Sequence, residues 1–132
     1  MMRGLTLTLA LSALLASNAA LALSLGQIQP QSRLNQGFKA DIEVFGVSAT
    51  ELPAIQVSLA SAEAFAKAGV ARPLWLTRLK FRAEPRDNGT AVIRVSSREA
   101  VQEPYVDFLI EVNWPRGKLL RQYSVLLDPP AR

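Results

Sequence analysis

The stretch from Val106 to Trp114, VDFLIEVNW, decides the fold class of this 132-residue chain. Apolar and polar residues alternate along it with a period of two, which is typical of a strand with one buried face. The residues predicted to face the core are Val106, Phe108, Ile110, Val112 and Trp114. Tyr105 and Leu109 depart from this alternation. The pattern indicates a sheet protein.

Two hairpins are predicted from turn residues between alternating segments. The first joins this strand, through Pro115-Arg116-Gly117-Lys118, to a final strand whose inner face carries Tyr123, Val125 and Leu127. The second has the turn Asp87-Asn88-Gly89 between segments 79–83 and 91–95, because Asn-Gly suits the positive φ angles of a tight turn. Asp128-Pro129-Pro130 ends the last strand, since proline cannot donate to a ladder.

Further strands are expected at Phe38–Val44 and Ile55–Leu59. Leu74 and Leu76 lie out of phase with Leu79, so the strand there either carries a bulge near residues 77 and 78 or starts late; we expect the bulge. Residues 96–104 are expected to form a charged connection. One short helix is predicted over 62–68, with Ser61 as its cap and Gly69 as its end, and Phe65 is expected to anchor it to the core.

These elements predict an all-β fold, mainly an antiparallel β-sandwich of the immunoglobulin-like kind, with one short α-helix. An open barrel is the alternative. Trp75, Tyr105, Trp114 and Tyr123 are expected in the core rather than stacked on sugars, and Trp114 or Trp75 is the expected central aromatic.

The first 22 residues have the pattern of a signal peptide. Arg3 precedes an apolar run, and Ala20-Leu21-Ala22 fits a small-x-small cleavage site. The alternative is an uncleaved anchor, because the uncharged stretch from Gly4 to Ile28 is long enough to cross a bilayer. We therefore predict export to the periplasm, or anchorage in the inner membrane with the domain facing the periplasm.

The composition excludes several kinds of site. The chain has 15 Lys and Arg, 11 Asp and Glu, and a net charge of +4; loss of Arg3 with the signal would leave 14 − 11 = +3. It has neither His nor Cys, which removes the Ser-His-Asp triad, the Cys nucleophile, the usual zinc ligand sets and any disulfide. We predict a protein that is not an enzyme and needs no cofactor. No basic stripe indicates a nucleic acid partner.

Four charged residues near the connection are candidates for contact with a partner: Arg94, Arg98, Glu99 and Glu103. The alternative is a solvated loop with surface ion pairs worth about 0–1 kcal/mol each. A sheet edge could also accept a partner strand, and the segments Gln27–Gln31 and Phe38–Phe45 are the predicted docking edges.

Several motifs spread along the chain resemble one family. They are Leu25-Gly26-Gln27-Ile28, Ser32-Arg33-Leu34-Asn35-Gln36, Ala60-Ser61-Ala62-Glu63-Ala64-Phe65, Val92-Ile93-Arg94-Val95-Ser96-Ser97-Arg98-Glu99, Val112-Asn113-Trp114-Pro115 and Tyr123-Ser124-Val125-Leu126-Leu127-Asp128-Pro129. Together they resemble the N-terminal periplasmic domain of the FimV family. The resemblance implies a domain over residues 23–128, with residues 129–132 starting a linker or tail.

The resemblance also implies a function in type IV pilus assembly, twitching motility or polar envelope organisation, through a protein partner in the cell envelope. FimV-family proteins continue with a LysM peptidoglycan-binding module, a membrane span and a cytoplasmic region, so this chain is expected to be either a standalone domain or the head of such a protein. The alternative function is a small carbohydrate- or peptidoglycan-binding module.

Overall fold

The computed structural model describes residues 23–86 and 90–130. The predicted signal peptide and the Asp87-Asn88-Gly89 turn lie outside the described residues. Within the described ranges the strands are β1 (Ser24–Pro30), β2 (Gly37–Phe45), β3 (Gln56–Leu59), β4 (Lys80–Pro85), β5 (Ala91–Ala100), β6 (Tyr105–Trp114) and β7 (Gly117–Leu126). The helices are α1 (Ala62–Ala68) and two 3₁₀ helices, Leu52–Ala54 and Leu74–Arg78.

The strands form two antiparallel sheets that pack face to face. Sheet A is four-stranded, in the order β1-β2-β5-β4, and sheet B is three-stranded, in the order β3-β6-β7. The predicted antiparallel sandwich with one short α-helix is therefore confirmed. The alternating pattern of β6 is observed, because Val106, Phe108 and Val112 are buried while Asp107 and Glu111 are partly exposed. Trp114 pairs with Gly117, so the turn of this hairpin is Pro115-Arg116.

Phe108 lies at the centre of the core between the sheets and is fully buried. Its ring lies 6.3 Å from Phe38, 6.4 Å from Phe81 and 6.2 Å from Tyr123 between centroids, within the range of favourable aromatic pairs. The expectation that Trp114 or Trp75 is the central aromatic was wrong, since both are only half-buried at the margin of the core. Tyr105 was also expected in the core, and it is 58% exposed.

Helix α1 has the predicted cap, end and anchor. The Ser61 hydroxyl accepts a hydrogen bond from the Ala64 amide at 3.1 Å, and Gly69 ends the helix with φ 71°. Phe65 is 1% exposed, so one side chain fixes this short helix to the core.

The predicted bulge before β4 was wrong, and the alternative that the strand starts late is the one observed. Residues 74–78 form a 3₁₀ helix rather than a bulged strand, and β4 starts at Lys80. Pro73 precedes this helix, the Thr77 hydroxyl donates to the Leu74 carbonyl at 2.6 Å, and Leu76 is fully buried. A turn of helix thus buries Leu76, whereas a strand over the same residues would bury every second side chain.

The predicted connection over residues 96–104 is shorter, because β5 continues to Ala100. The ladder between β2 and β5 changes register between Gly37 and Lys39. The Ser97 hydroxyl spans the irregularity, since it accepts from the Phe38 amide at 2.9 Å and donates to the Glu99 carbonyl at 2.8 Å. A hydrogen bond from the backbone of a distant strand to the Ser97 side chain therefore keeps this stretch in the sheet.

The prediction that Phe38–Phe45 is an edge strand was wrong, because β2 lies between β1 and β5. The edges are β1 and β4 in sheet A and β3 and β7 in sheet B. In the part of the chain that the structure describes, no helix is long and apolar enough to cross a bilayer.

Candidate interaction surfaces

Three surfaces of the sandwich are candidates for partner binding. The first, called the charged face, is formed by Gln31, Asp41, Glu84, Arg86 and Arg94 on the outer side of sheet A. β2, β5 and β4 lie side by side, so the register sets Asp41 opposite Arg94 and Arg94 opposite Arg82. The charged groups are therefore brought together by strand pairing across the sheet.

Asp41 is the centre of the charged face and is only 6% exposed. Its carboxylate accepts from Arg94 Nη1 at 3.0 and 3.2 Å, from Gln31 Nε2 at 3.0 Å and from Arg86 Nη2 at 3.4 Å. Four donor contacts to a single carboxylate offset its loss of water. The Asp41 carboxylate is thus bound by groups within the domain and is not available to a partner.

Arg94 is divided between two carboxylates. Its Nε donates to Glu84 Oε2 at 2.6 Å while Nη1 contacts Asp41. The hydrogen bond to Glu84, followed by the negative charge of Asp41, raises the pKa of Arg94 above its ordinary value. The charge of this predicted contact residue is therefore already compensated inside the domain.

The other three predicted contact residues lie towards the far end of β5. Glu99 Oε2 lies 2.5 Å from Arg78 Nη1 in an exposed ion pair, and Arg98 is exposed on the same strand. Glu99 and Glu103 line one cavity of about 380 Å³ beside Trp75, whereas Arg94 lines a separate groove of about 560 Å³ on sheet A. The structure brings Glu99 and Glu103 together and places Arg94 elsewhere.

The second surface is a groove between sheet B and the segment that follows α1. Five side chains and one wall define this aromatic groove: Trp75, Glu103, Tyr105, Asp107, Gln122 and residues 68–71. Its volume is about 460 Å³, which lies within the range of about 300–1,000 Å³ that small-molecule sites occupy. Exposed aromatic and polar groups thus converge on one concave surface.

The third surface is the edge of β7, which runs for ten residues and whose backbone pairs with β6 alone in the described ranges. Leu120 and Leu126 on this strand are 47% and 70% exposed. The other edges are shorter: β3 has four residues, β4 has six and ends in Pro85, and β1 has seven with a register shift between Leu25 and Ile28. The longest regular edge of the described sandwich is therefore β7.

β1, the one predicted docking edge that lies at a sheet edge, has part of its backbone occupied. Arg121 Nη1 donates to the Leu25 carbonyl at 3.4 Å, and the Tyr123 hydroxyl donates to the Gly26 carbonyl at 2.8 Å. Burial raises the pKa of the Tyr123 hydroxyl, so it remains a donor across the neutral range. These contacts link the edge of sheet A to the edge of sheet B.

Within residues 23–86 and 90–130, no group of three or more acidic side chains converges to hold an ion. Asp107 and Glu111 share one strand face but bind different neighbours, Ser124 and Lys118.

The β7 edge and the aromatic groove are the features that sequence reasoning missed. The available signal for the groove was Tyr105, whose position departs from the alternation of β6. The edge had no local signal, because strand order depends on which strands pair.

Comparison with known proteins places the fold in a family. A sequence model described as the FimV N-terminal domain, an Ig-like domain, matches residues 23–130. The chain is 48% identical over 129 residues to the motility hub protein FimV of Pseudomonas aeruginosa strain PAO1, and equally to that of strain UCBPP-PA14. The match covers 98% of this chain and 14% of each relative, so the chain spans about a seventh of their length. No solved structure matches it.

Proposed function

The chain belongs to the family of FimV N-terminal Ig-like domains, and from this premise we propose that it is a non-enzymatic docking domain for a protein of the motility machinery. The relatives that it matches are motility hub proteins, and a hub acts by holding other proteins. We further propose that the domain lies in the periplasm and is exported by the signal-like residues 1–22. Residues 23–128 would be the docking domain and residues 129–132 the start of a linker.

Two side chains of β7, Arg121 and Tyr123, contact β1, but the β7 backbone pairs on one side only, and this unpaired side supports the proposal most strongly. Within the described ranges, β7 pairs with β6 alone, and no backbone hydrogen bond joins it to any other strand. Alternate residues of an edge strand present their N–H and C=O groups outward, where a further strand can bind them. Ten residues are enough to dock a partner strand of ordinary length.

The exposed leucines of β7 would provide the apolar part of such a contact. Leu120 lies opposite Glu111 and Leu126 opposite Tyr105, so both project from the outer face of sheet B. A docked strand would set its own side chains beside them, since neighbouring strands lie about 4.8 Å apart. Main-chain bonds would give affinity and the leucines specificity. We therefore propose that the partner contributes one extended segment with apolar residues on one face.

The experiment uses a full-length motility protein that carries this domain. Leu120→Lys combined with Leu126→Lys adds charge beside the edge, which is how natural edge strands resist pairing. We expect twitching to be lost while the protein level is unchanged. The matched control is Leu74→Lys, which alters a leucine that is 75% exposed in the second 3₁₀ helix. Equal twitching in all three strains would contradict docking at β7.

Photo-crosslinking distinguishes the edge from the predicted charged contacts. A crosslinking residue at position 120 is expected to capture an envelope protein, and the same residue at position 98 is not. Capture at position 98 alone would move the docking site to the end of β5. In that case Arg98→Glu is expected to abolish capture, and the β7 proposal would be wrong.

A further inference from the structure

We propose that the aromatic groove binds a short saccharide that carries no acidic group. This inference rests on side chains of β6 and on Gln122 of β7, which lie on the outer face of sheet B, and it does not depend on the proposed partner. The groove places an exposed tyrosine beside a carboxylate and an amide. A tyrosine ring can stack on the C–H face of a sugar, and a carboxylate and an amide can form hydrogen bonds with its hydroxyls.

Tyr105 provides the stacking surface. Its side chain is 58% exposed, although it lies on the same strand as the fully buried Phe108. Trp75 lines the same groove and is half-buried, so its ring is held by the core. Burying aromatic area at a binding site is strongly favourable, and a ring already fixed in place loses little entropy on binding.

Asp107 and Gln122 provide the polar groups. Asp107 is two residues beyond Tyr105 on the same strand face, hence about 6.7 Å away along the backbone. That spacing suits one sugar ring, which could stack on the tyrosine while a hydroxyl donates to the carboxylate. The Ser124 hydroxyl donates to Asp107 Oδ1 and thereby fixes the orientation of this group. Gln122, on the adjacent strand, adds an exposed amide that both donates and accepts.

The charge of the groove selects among sugars. Glu103 and Asp107 are both in its lining, and no Lys or Arg is among the lining residues. Acidic saccharides would therefore be repelled, whereas neutral or amine-bearing ones are accepted. The far wall, residues 68–71, consists of small side chains after α1 and leaves room beside the rings.

The two tryptophans of the chain allow a direct test by NMR. Trp75 lines the groove and Trp114 does not, so the indole N–H signal of Trp114 is an internal control. The sample is the chain from residue 23 onward, which contains every core residue of the described ranges. The probes are triacetylchitotriose, its deacetylated form and trigalacturonate, each titrated to millimolar concentration. We expect the first two to shift the Trp75 signal alone and the acidic trimer to shift neither signal.

Variants at position 105 decide whether stacking is responsible. Tyr105→Thr preserves strand propensity and is expected to weaken binding about tenfold or more, whereas Tyr105→Phe keeps the ring and is expected to bind like the wild type. The proposal is overturned if no saccharide shifts Trp75, if the threonine variant binds as well as the wild type, or if trigalacturonate binds equally. A shift with an apolar peptide but with no sugar would assign the groove to a protein and would overturn it as well.

Discussion

The charged face and the aromatic groove lie on opposite sheets of one sandwich, and they treat their functional groups in opposite ways. On the charged face, Asp41, Glu84, Arg86 and Arg94 bind one another, and the central carboxylate is buried. In the aromatic groove, Tyr105 is exposed and Glu103 has no ion pair among the described residues. Charge density alone is therefore a poor guide to binding here. The surface with groups still available is the less charged one.

If this comparison is correct, Asp41→Ala has the largest effect on stability among the surface changes considered. It leaves Arg94, Arg86 and Gln31 without their shared acceptor, and we expect a loss of about 1–3 kcal/mol in the free energy of unfolding, measured in urea. The control is Glu63→Ala, which removes the exposed pair with Lys67 within α1 and is worth about 0.3–0.5 kcal/mol. Equal effects of the two would mean that the charged face is not an internal network.

Ser61→Ala tests the wall of the aromatic groove. Loss of the cap at the start of α1 is expected to lower the free energy of unfolding by about 1 kcal/mol and to weaken protection of the α1 amides against hydrogen exchange. Ser58→Ala, at an exposed serine of β3, is the matched control and is expected to change little. If the α1 amides exchange at the wild-type rate in the Ser61→Ala variant, the cap does not stabilise the helix that precedes the groove wall.

Tyr105→Thr tests how much a residue of the aromatic groove contributes to stability. Because the ring is mostly exposed and threonine suits a strand, we expect the free energy of unfolding to change by less than about 0.5 kcal/mol. Urea denaturation of the two proteins side by side is the measurement. A loss as large as that for Asp41→Ala would show that Tyr105 supports the fold, and the contrast between the surfaces would fail.

Glu51→Gln gives the smallest effect and concerns an ion pair outside both surfaces. Arg116 donates to Glu51 at 2.7 and 2.9 Å, and this hydrogen bonding, followed by that from Ser48, lowers the pKa of the carboxyl. A lowered pKa in the folded state stabilises the protein above the ordinary glutamate value of about 4.3, and the contribution is lost as the pH falls below it. We expect the glutamine variant to lose less stability than the wild type between pH 7 and pH 3, followed by thermal unfolding.

Much of the fold was predictable because its determinants are local. The alternation of β6, the Ser61 cap and the Gly69 end depend on neighbouring residues, and all were observed where predicted. The errors have distant causes. Ser97 keeps β5 in the sheet by binding Phe38, which is 59 positions away, and Leu76 is directed inward by the core. Neither contact is visible in a local pattern.

The candidate surfaces were harder to predict for the same reason. Arg94 was identified as a contact residue from its charge. Whether that charge is available to a partner depends on Asp41, which is 53 positions away and is brought opposite Arg94 by the strand register. Tyr105 was noticed as an irregularity in an alternating strand and was expected in the core, but it is exposed. Whether an irregular residue is exposed depends on what packs above it, and that is determined by the path of the chain after α1.

The link between β1 and β7 has a mechanical consequence. Residues 25 and 26 contact residues 121 and 123 in rising order, so the two strands run in the same direction. Tension that pulls the start of β1 and the end of β7 apart would slide these strands past each other. Both side-chain bonds would then carry load at the same time instead of opening one after the other. A domain with this geometry is expected to resist stretching along its chain.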